Sequence, residues 1–175
     1  MPVFSFEGKA PKIHPDAFVA ETATIVGDVT IEAKASVWYN AVVRGDFSPV
    51  IIGEGANIQD GAVIHGTGTN PVIIGRNATV AHNCTIHGAV IGDGCVIAIG
   101  VTVLDGAKVG ARTLVAAGAV VTPNTELPDG VVAMGVPAVV RQPLAGSSGE
   151  RIVDRNSAVY RDLAQRHKAG AAQVP

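Results

Sequence analysis

Residues 91–121, IGDGCVIAIGVTVLDGAKVGARTLVAAGAVV, place one large aliphatic side chain at every sixth position: Ile91, Ile97, Val103, Val109, Val115 and Val121. Two places before most of them stands a small residue, as at Ala89, Cys95, Ala107, Thr113 and Ala119. The same step continues upstream through Ile74, Val80 and Ile86, through Ile52, Ile58 and Ile64, and through Ile13, Val19, Ile25, Ile31, Val37 and Val43. Eighteen such hexads make the chain a solenoid before any other feature is weighed. Six residues with Gly, Asp and Asn between the aliphatics read as a short strand and a turn. Three units close one triangular coil, so eighteen give six coils. At a strand separation of about 4.8 Å these stack into a prism about 30 Å tall.

Register supplies an internal check, because residues one coil apart should share a role. Gly53, Gly75, Gly92 and Gly110 each follow an inward aliphatic and stand three hexads apart, which predicts one prism edge that excludes a Cβ. Three residues are added after Val43, four after Ile64, and one is lost after Ile86. All three breaks fall on one edge, and breaks in a regular solenoid concentrate where function sits.

Past Val121 the ladder fades through Pro123 and Pro128, and Gly135-Val136-Pro137-Ala138 closes the coils. The predicted organisation is a β-helix domain over 1–141, then a linker, helix and tail over 142–175. From about Ser148 to Lys168 the period becomes helical, with a stripe of Ile152, Val159 and Leu163 flanked by Val153, Tyr160 and Ala164. This helix should pack along the prism, its own or a neighbour's, and the tail from Ala169 should fray.

Aromatic residues are only 4% of the chain, so aliphatics and alanine must fill the core. A net charge of -2 with no basic run excludes nucleic acid as a partner. Two cysteines, Cys84 and Cys95, are too few for a disulfide scaffold; both occupy the small inward position and read as buried thiols. No apolar stretch is long enough for a membrane span, and the first residues lack the pattern of a secretory signal, so the expected location is cytoplasmic with no membrane partner.

His65 and His87 each follow an inward isoleucine and lie three hexads apart, so they share an edge one rung from each other, with Arg44 one coil before them. Imidazoles about 5 Å apart can reach one ion at Zn–N distances of about 2.0–2.1 Å. His82 belongs to the preceding hexad and falls near a different edge, with Asp60 one coil below it and Gln59 and Asn57 beside that. One chain can hardly collect all three histidines. A second chain presenting Asn57, Gln59, Asp60 and His82 to the first chain's Arg44, His65 and His87 would close the set. Such an interface is heterologous, and the simplest ring it closes on a triangular prism is a homotrimer. The competing reading makes these histidines surface residues or a metal-free seam, and makes Arg44 with Asp46 or Asp60 a structural ion pair. His14 and His167 read as solvated polar residues.

Arg44-Gly45-Asp46, Asn57-Ile58-Gln59-Asp60-Gly61, Val63-Ile64-His65, His82-Asn83-Cys84-Thr85-Ile86-His87-Gly88 and Gly135-Val136-Pro137-Ala138 together resemble the gamma-class carbonic anhydrase-like family of hexapeptide-repeat proteins. The resemblance covers nearly the whole chain. It implies an all-β, left-handed parallel β-helix with a C-terminal α-helix, the left hand being the known exception to right-handed crossovers. It also implies a homotrimer with zinc, or iron(II) or cobalt, between protomers, held by His65 and His87 of one chain and His82 of the next. Arg44 and Asp60 would pair across the interface, Asp46 would order it, and Gln59 and Asn57 would contact solvent or substrate near the metal. Tyr160 and Asn156 match residues of the family's terminal helix.

Two departures stand out. Active members of the family carry a glutamate after the residue matching Asp46, where this chain has Phe47, and an acidic loop with a proton-relaying glutamate, where this chain has only Gly66 to Pro71. Both resemble the family's shorter subgroup and leave the chain without that relay. The implied activity is hydration of carbon dioxide to bicarbonate by a metal-bound hydroxide, at low turnover, with Gln59 orienting hydroxide or substrate. Two alternatives stay open: an acyl-CoA thioesterase or acyltransferase acting on another small-molecule substrate, and a non-catalytic, metal-stabilised trimeric scaffold.

Overall fold

The computed structural model describes residues 1–171; the expected tail reaches beyond this, and its last residues, 172–175, lie outside the described residues. The chain winds as a parallel β-solenoid of about seven turns, followed by a helix over Glu150–Gly170. Every coil crosses three faces. On face I the inward residues Ile25, Val43, Ile64, Ile86, Val103 and Val121 stack in parallel register. Face II stacks Ile13, Ile31, Ile52, Ile74, Ile91, Val109 and Leu127. Face III stacks Val19, Val37, Ile58, Val80, Ile97, Val115 and Ala133. The small residues two places earlier, Cys84 and Cys95 among them, fill the angles of the triangle and are buried.

The repeat does not fade at Val121. Leu127 and Ala133 continue the step of six and pair with Val109 and Val115, giving a seventh turn. Pro123 opens a turn completed by Asn124 at φ 58°, and Pro128 takes the corner position whose N–H at Gly75, Gly92 and Gly110 donates to the following coil, but no coil follows Leu127 on face II to receive that bond. A strand over Val139–Pro143 then folds back antiparallel on Val131–Met134 and runs across the boundary expected at residue 141.

All three breaks lie at the corner between faces I and II. In the second of the widened coils the loop Gly66–Pro71 is pinned where Ser48 Oγ donates to Asn70 O. The glycine column occupies the corner between faces II and III. A Cβ on Gly75 would lie 2.6 Å from Asp93 N, and one on Gly92 2.6 Å from Ala111 N, although neither residue has a left-handed φ. Close stacking of successive corners, and not backbone conformation, is what excludes a side chain there.

The helix packs on face III of its own chain and runs from the last coils to the first. Its 21 residues span about 32 Å, close to the height of the stack. The sequence stripe is displaced. Ile152 and Val159 face outward at 50% and 57% exposure, whereas Val153 and Ala164 are buried and Tyr160 and Leu163 pack on the core. Polar partners on face III and at its corner with face I set this rotation: Asn156 donates to Thr79 Oγ1 at 3.0 Å, and His167 Nδ1 meets Tyr39 OH at 2.9 Å. His167 is therefore no solvated residue; its ring also packs edge-on to Trp38, with centroids 5.0 Å apart. The few aromatic residues are concentrated here, with Phe18, Trp38 and Tyr160 joined around the helix. Among the described residues no helix is long and apolar enough to cross a membrane.

Candidate metal centre

The site is built from two corners of the prism. At the corner between faces I and II, Arg44, His65 and His87 lie opposite one another in successive strands, one residue past the inward Val43, Ile64 and Ile86. Strand register thus forces the two imidazoles together, with ring centroids 5.2 Å apart and His65 Nδ1 3.2 Å from His87 Nε2. The outer nitrogen of each ring faces a carboxylate: His65 Nε2 lies 2.9 Å from Asp46 Oδ1, and His87 Nδ1 lies 2.8 Å from Asp105 Oδ1.

Asp46 sits in the first widening, which swings its carboxylate back toward the column. Arg44 donates to its other oxygen, so the intrachain ion pair of this corner is Arg44 with Asp46. Burial pulls the Asp46 carboxyl up. The hydrogen bonds from His65 and Arg44 and the guanidinium charge outweigh that pull and hold it below the ordinary carboxylate value. Phe47, exposed, leans over His65 with ring centroids 5.8 Å apart.

His82 stands at the corner between faces III and I. It opens a turn completed by Asn83 at φ 57°, directly above the turn Asp60–Gly61, with Asn83 N donating to Asp60 O. His82 Nδ1 lies 2.9 Å from Asp60 Oδ2, and its Nε2 meets the Tyr160 hydroxyl of the helix at 3.4 Å. Burial, and then the Asp60 charge, raise the Tyr160 phenol, so it stays a neutral donor. Asn57 and Gln59 are not at the surface of the chain; at 1% and 3% exposure they lie on face III in a polar chain with Thr79. Gln59 Nε2 donates to Asn57 Oδ1, and Asn57 Nδ2 donates to Thr79 Oγ1, which also receives Asn156.

The structure thus brings Arg44, Asp46, His65 and His87 together at one corner, and Asp60, His82 and Tyr160 at another. Among the described residues no group of three or more His, Cys, Asp or Glu is gathered closely enough to hold a metal. Two residues escaped the sequence reading. Thr79 carried no signal, and carrying the column past His87 by one coil reaches Leu104, one residue short of Asp105, which opens the turn stacked on Gly88.

The donor set fits a metal. A carboxylate only accepts, so the ring nitrogens facing Asp46 and Asp105 carry the protons, and the two nitrogens facing each other present lone pairs. Two acceptors 3.2 Å apart repel unless a cation lies between them. Tetrahedral ligation at about 2.0–2.1 Å would set such nitrogens about 3.3 Å apart. Carboxylates on the outer nitrogens are the usual support of ligating histidines.

Residues 88–123 match the family model described as bacterial transferase hexapeptide (six repeats). The chain is 39% identical over 171 residues to gamma carbonic anhydrase 1, mitochondrial, of Arabidopsis thaliana, covering 94% of this chain and 62% of that protein. It is 31% identical to the carnitine operon protein CaiE of Salmonella agona, over 99% of this chain and 87% of that one. A Bacillus cereus protein provisionally assigned as an acetyltransferase superposes with TM-score 0.93 at 34% identity, covering 95% and 96% of the two chains. The chain belongs to the gamma carbonic anhydrase-like family of hexapeptide-repeat proteins. It spans about three fifths of the length of the plant gamma carbonic anhydrases it matches.

Proposed function

We propose that the chain forms a homotrimer that holds a divalent metal, zinc or else iron(II) or cobalt, between protomers and hydrates carbon dioxide to bicarbonate. The observation that carries this reading is the pair of lone-pair nitrogens of His65 and His87, each backed by a carboxylate, with a third carboxylate-backed histidine, His82, at another corner of the prism. Rotation about a threefold axis sets one corner of each prism against a different corner of the next, so each seam would gain His65 and His87 from one side and His82 from the other. When bound, such an ion supplies a Lewis acid that ionises water near neutral pH, a value of about 7 known from carbonic anhydrase itself.

The chain's own residues hold and screen the site. Asp46, Asp60 and Asp105 fix the three imidazoles; Arg44 holds Asp46 and, at the seam, would meet Asp60 of the next protomer. Gln59 has its amide nitrogen committed to Asn57, which leaves its carbonyl oxygen as the atom that could accept a hydroxyl proton from the reacting species. Tyr160 meets His82 Nε2, the nitrogen left free by Asp60, at 3.4 Å, a long contact that a bound metal would replace. The loop Gly66–Pro71 offers no titratable side chain, so protons leave to buffer and turnover is slow.

Complementation tests the shared site. H82A and the double variant H65A/H87A should each bind no metal and show no hydration activity. When they are unfolded and refolded together, about a quarter of the seams in a random mixture join two intact half-sites, and metal content and activity should return in that proportion. Failure to recover either, with trimers present, sinks the intersubunit site. The likeness to a provisionally assigned acetyltransferase favours acyl-thioester chemistry as the second reading. Acyl-CoA hydrolysis or transfer by the same metal-loaded samples, without carbon dioxide hydration, would replace the first reading with it.

A further inference from the structure

Asp46 reaches the histidine column through the first widening, but Asp105 lies a coil beyond the histidine motifs and arrives by a different route. The step from Ile86 to Ile91 is one residue short, so the corner at Gly88 is drawn in over the next turn. Asp105 opens that turn, completed by Gly106 at φ 71°, and Gly106 N donates to Gly88 O at 2.7 Å. A Cβ on Gly88 would lie 2.6 Å from Asp105 Oδ1, so the glycine clears the path by which this carboxylate reaches His87 Nδ1 at 2.8 Å. The deletion, the bare corner and the carboxylate act as one arrangement with one result. The proton of His87 is fixed on Nδ1, and the Nε2 lone pair is aimed at the nitrogen of His65.

We propose that Asp105 is the positioning residue of His87, setting its tautomer and ring plane for metal ligation through Nε2. The inference rests on the metal reading above. It completes a pattern in which each histidine has its own acid: Asp46 for His65, Asp60 for His82 and Asp105 for His87. An ordinary exposed ion pair would contribute little and would leave the ring free to turn over.

The test uses the full chain with selectively 15N-labelled histidine, stripped of metal, and zinc titrated against a competing chelator. Wild-type His87 should show the Nδ1–H tautomer in two-bond 15N–1H spectra. Asp105→Ala should mix the two tautomers and weaken zinc binding 10- to 100-fold. Asp105→Glu should recover part of the affinity, whereas Asp93→Ala, which removes an equivalent turn aspartate paired with Arg76, should match wild type. A normal tautomer and an affinity within about twofold of wild type in Asp105→Ala overturn the inference while leaving the metal site standing. Wild-type protein that binds neither zinc, iron(II) nor cobalt removes the metal site itself, and this inference with it.

Discussion

Cys84 and Cys95 show how far one position of the hexad dictates chemistry. Each thiol fills the small inward site and donates to a backbone carbonyl, Cys84 to Ala98 O and Cys95 to Gly110 O. Burial pushes both up from 9.0 to about 11, so the thiolate needed for alkylation or ligation is suppressed in the fold. The linkage has a definite sign. The unfolded chain releases these protons from about pH 9 and the folded chain only near pH 11, so stability is intact below pH 9 and falls as pH rises between the two values. At pH 10 the loss should be about 1 kcal/mol per thiol. Urea unfolding at pH 7.5 and pH 10 should show it, and a Cys84→Ala/Cys95→Ala protein should lose that part of the difference. An equal pH dependence in the double variant would refute the assignment. The same inward position takes Thr113, whose hydroxyl bonds Pro128 O at 2.7 Å, so a polar atom is tolerated wherever the neighbouring coil offers an acceptor.

At the scale of one coil, the corners are unequal. Gly92 is required because the next corner lies against it, whereas Gly118, at φ 70°, has open space where its Cβ would stand. Gly118→Ala should therefore cost only the left-handed backbone, about 1 kcal/mol. Gly92→Ala must displace the backbone of Gly110 and Ala111 and should cost about 1–3 kcal/mol or more. Urea midpoints for the two variants decide it; equal costs, or a larger cost at Gly118, would contradict the close-stacking account. The helix obeys a different logic. Its apolar period is legible in the chain, but which flank of the stripe turns inward was decided by Thr79 on face III and Tyr39 at its corner with face I, residues distant in sequence from Asn156 and His167.

For the whole molecule, the proposed ion shared between protomers would tie metal content to assembly. Anything bound only by the folded trimer raises its stability, by about 2.7 kcal/mol per site at a hundredfold excess over Kd. Chelator should therefore lower the wild-type Tm and ease trimer dissociation in dilution, reversibly on adding zinc. His82→Ala should start at the stripped Tm and ignore chelator. A chelator effect of equal size in that variant would place the metal elsewhere. The widened corner gathers Arg44, Asp46, His65 and His87, and the His82 corner, touched by the helix at Tyr160, would give the proposed seam two unlike sides.

A period of six needs no tertiary information, because each hexad buries its aliphatic against the identical positions of its neighbours, and this local repetition alone determined the solenoid, its three faces and the pairing of His65 with His87. The column of Asp60 beneath His82 followed from the same arithmetic. Only the folded chain decided that the ladder runs on through Leu127 and Ala133, since Pro123 lies in a turn and Pro128 has no further coil on its face to bond. Only it placed Asn57 and Gln59 beneath the helix and brought Asp105 to His87. Those outcomes depend on side chains from different coils and from the helix meeting at corners whose shape is set by insertions and a deletion, and a repeat pattern carries the order of the rungs but not the distance a side chain must cross between them.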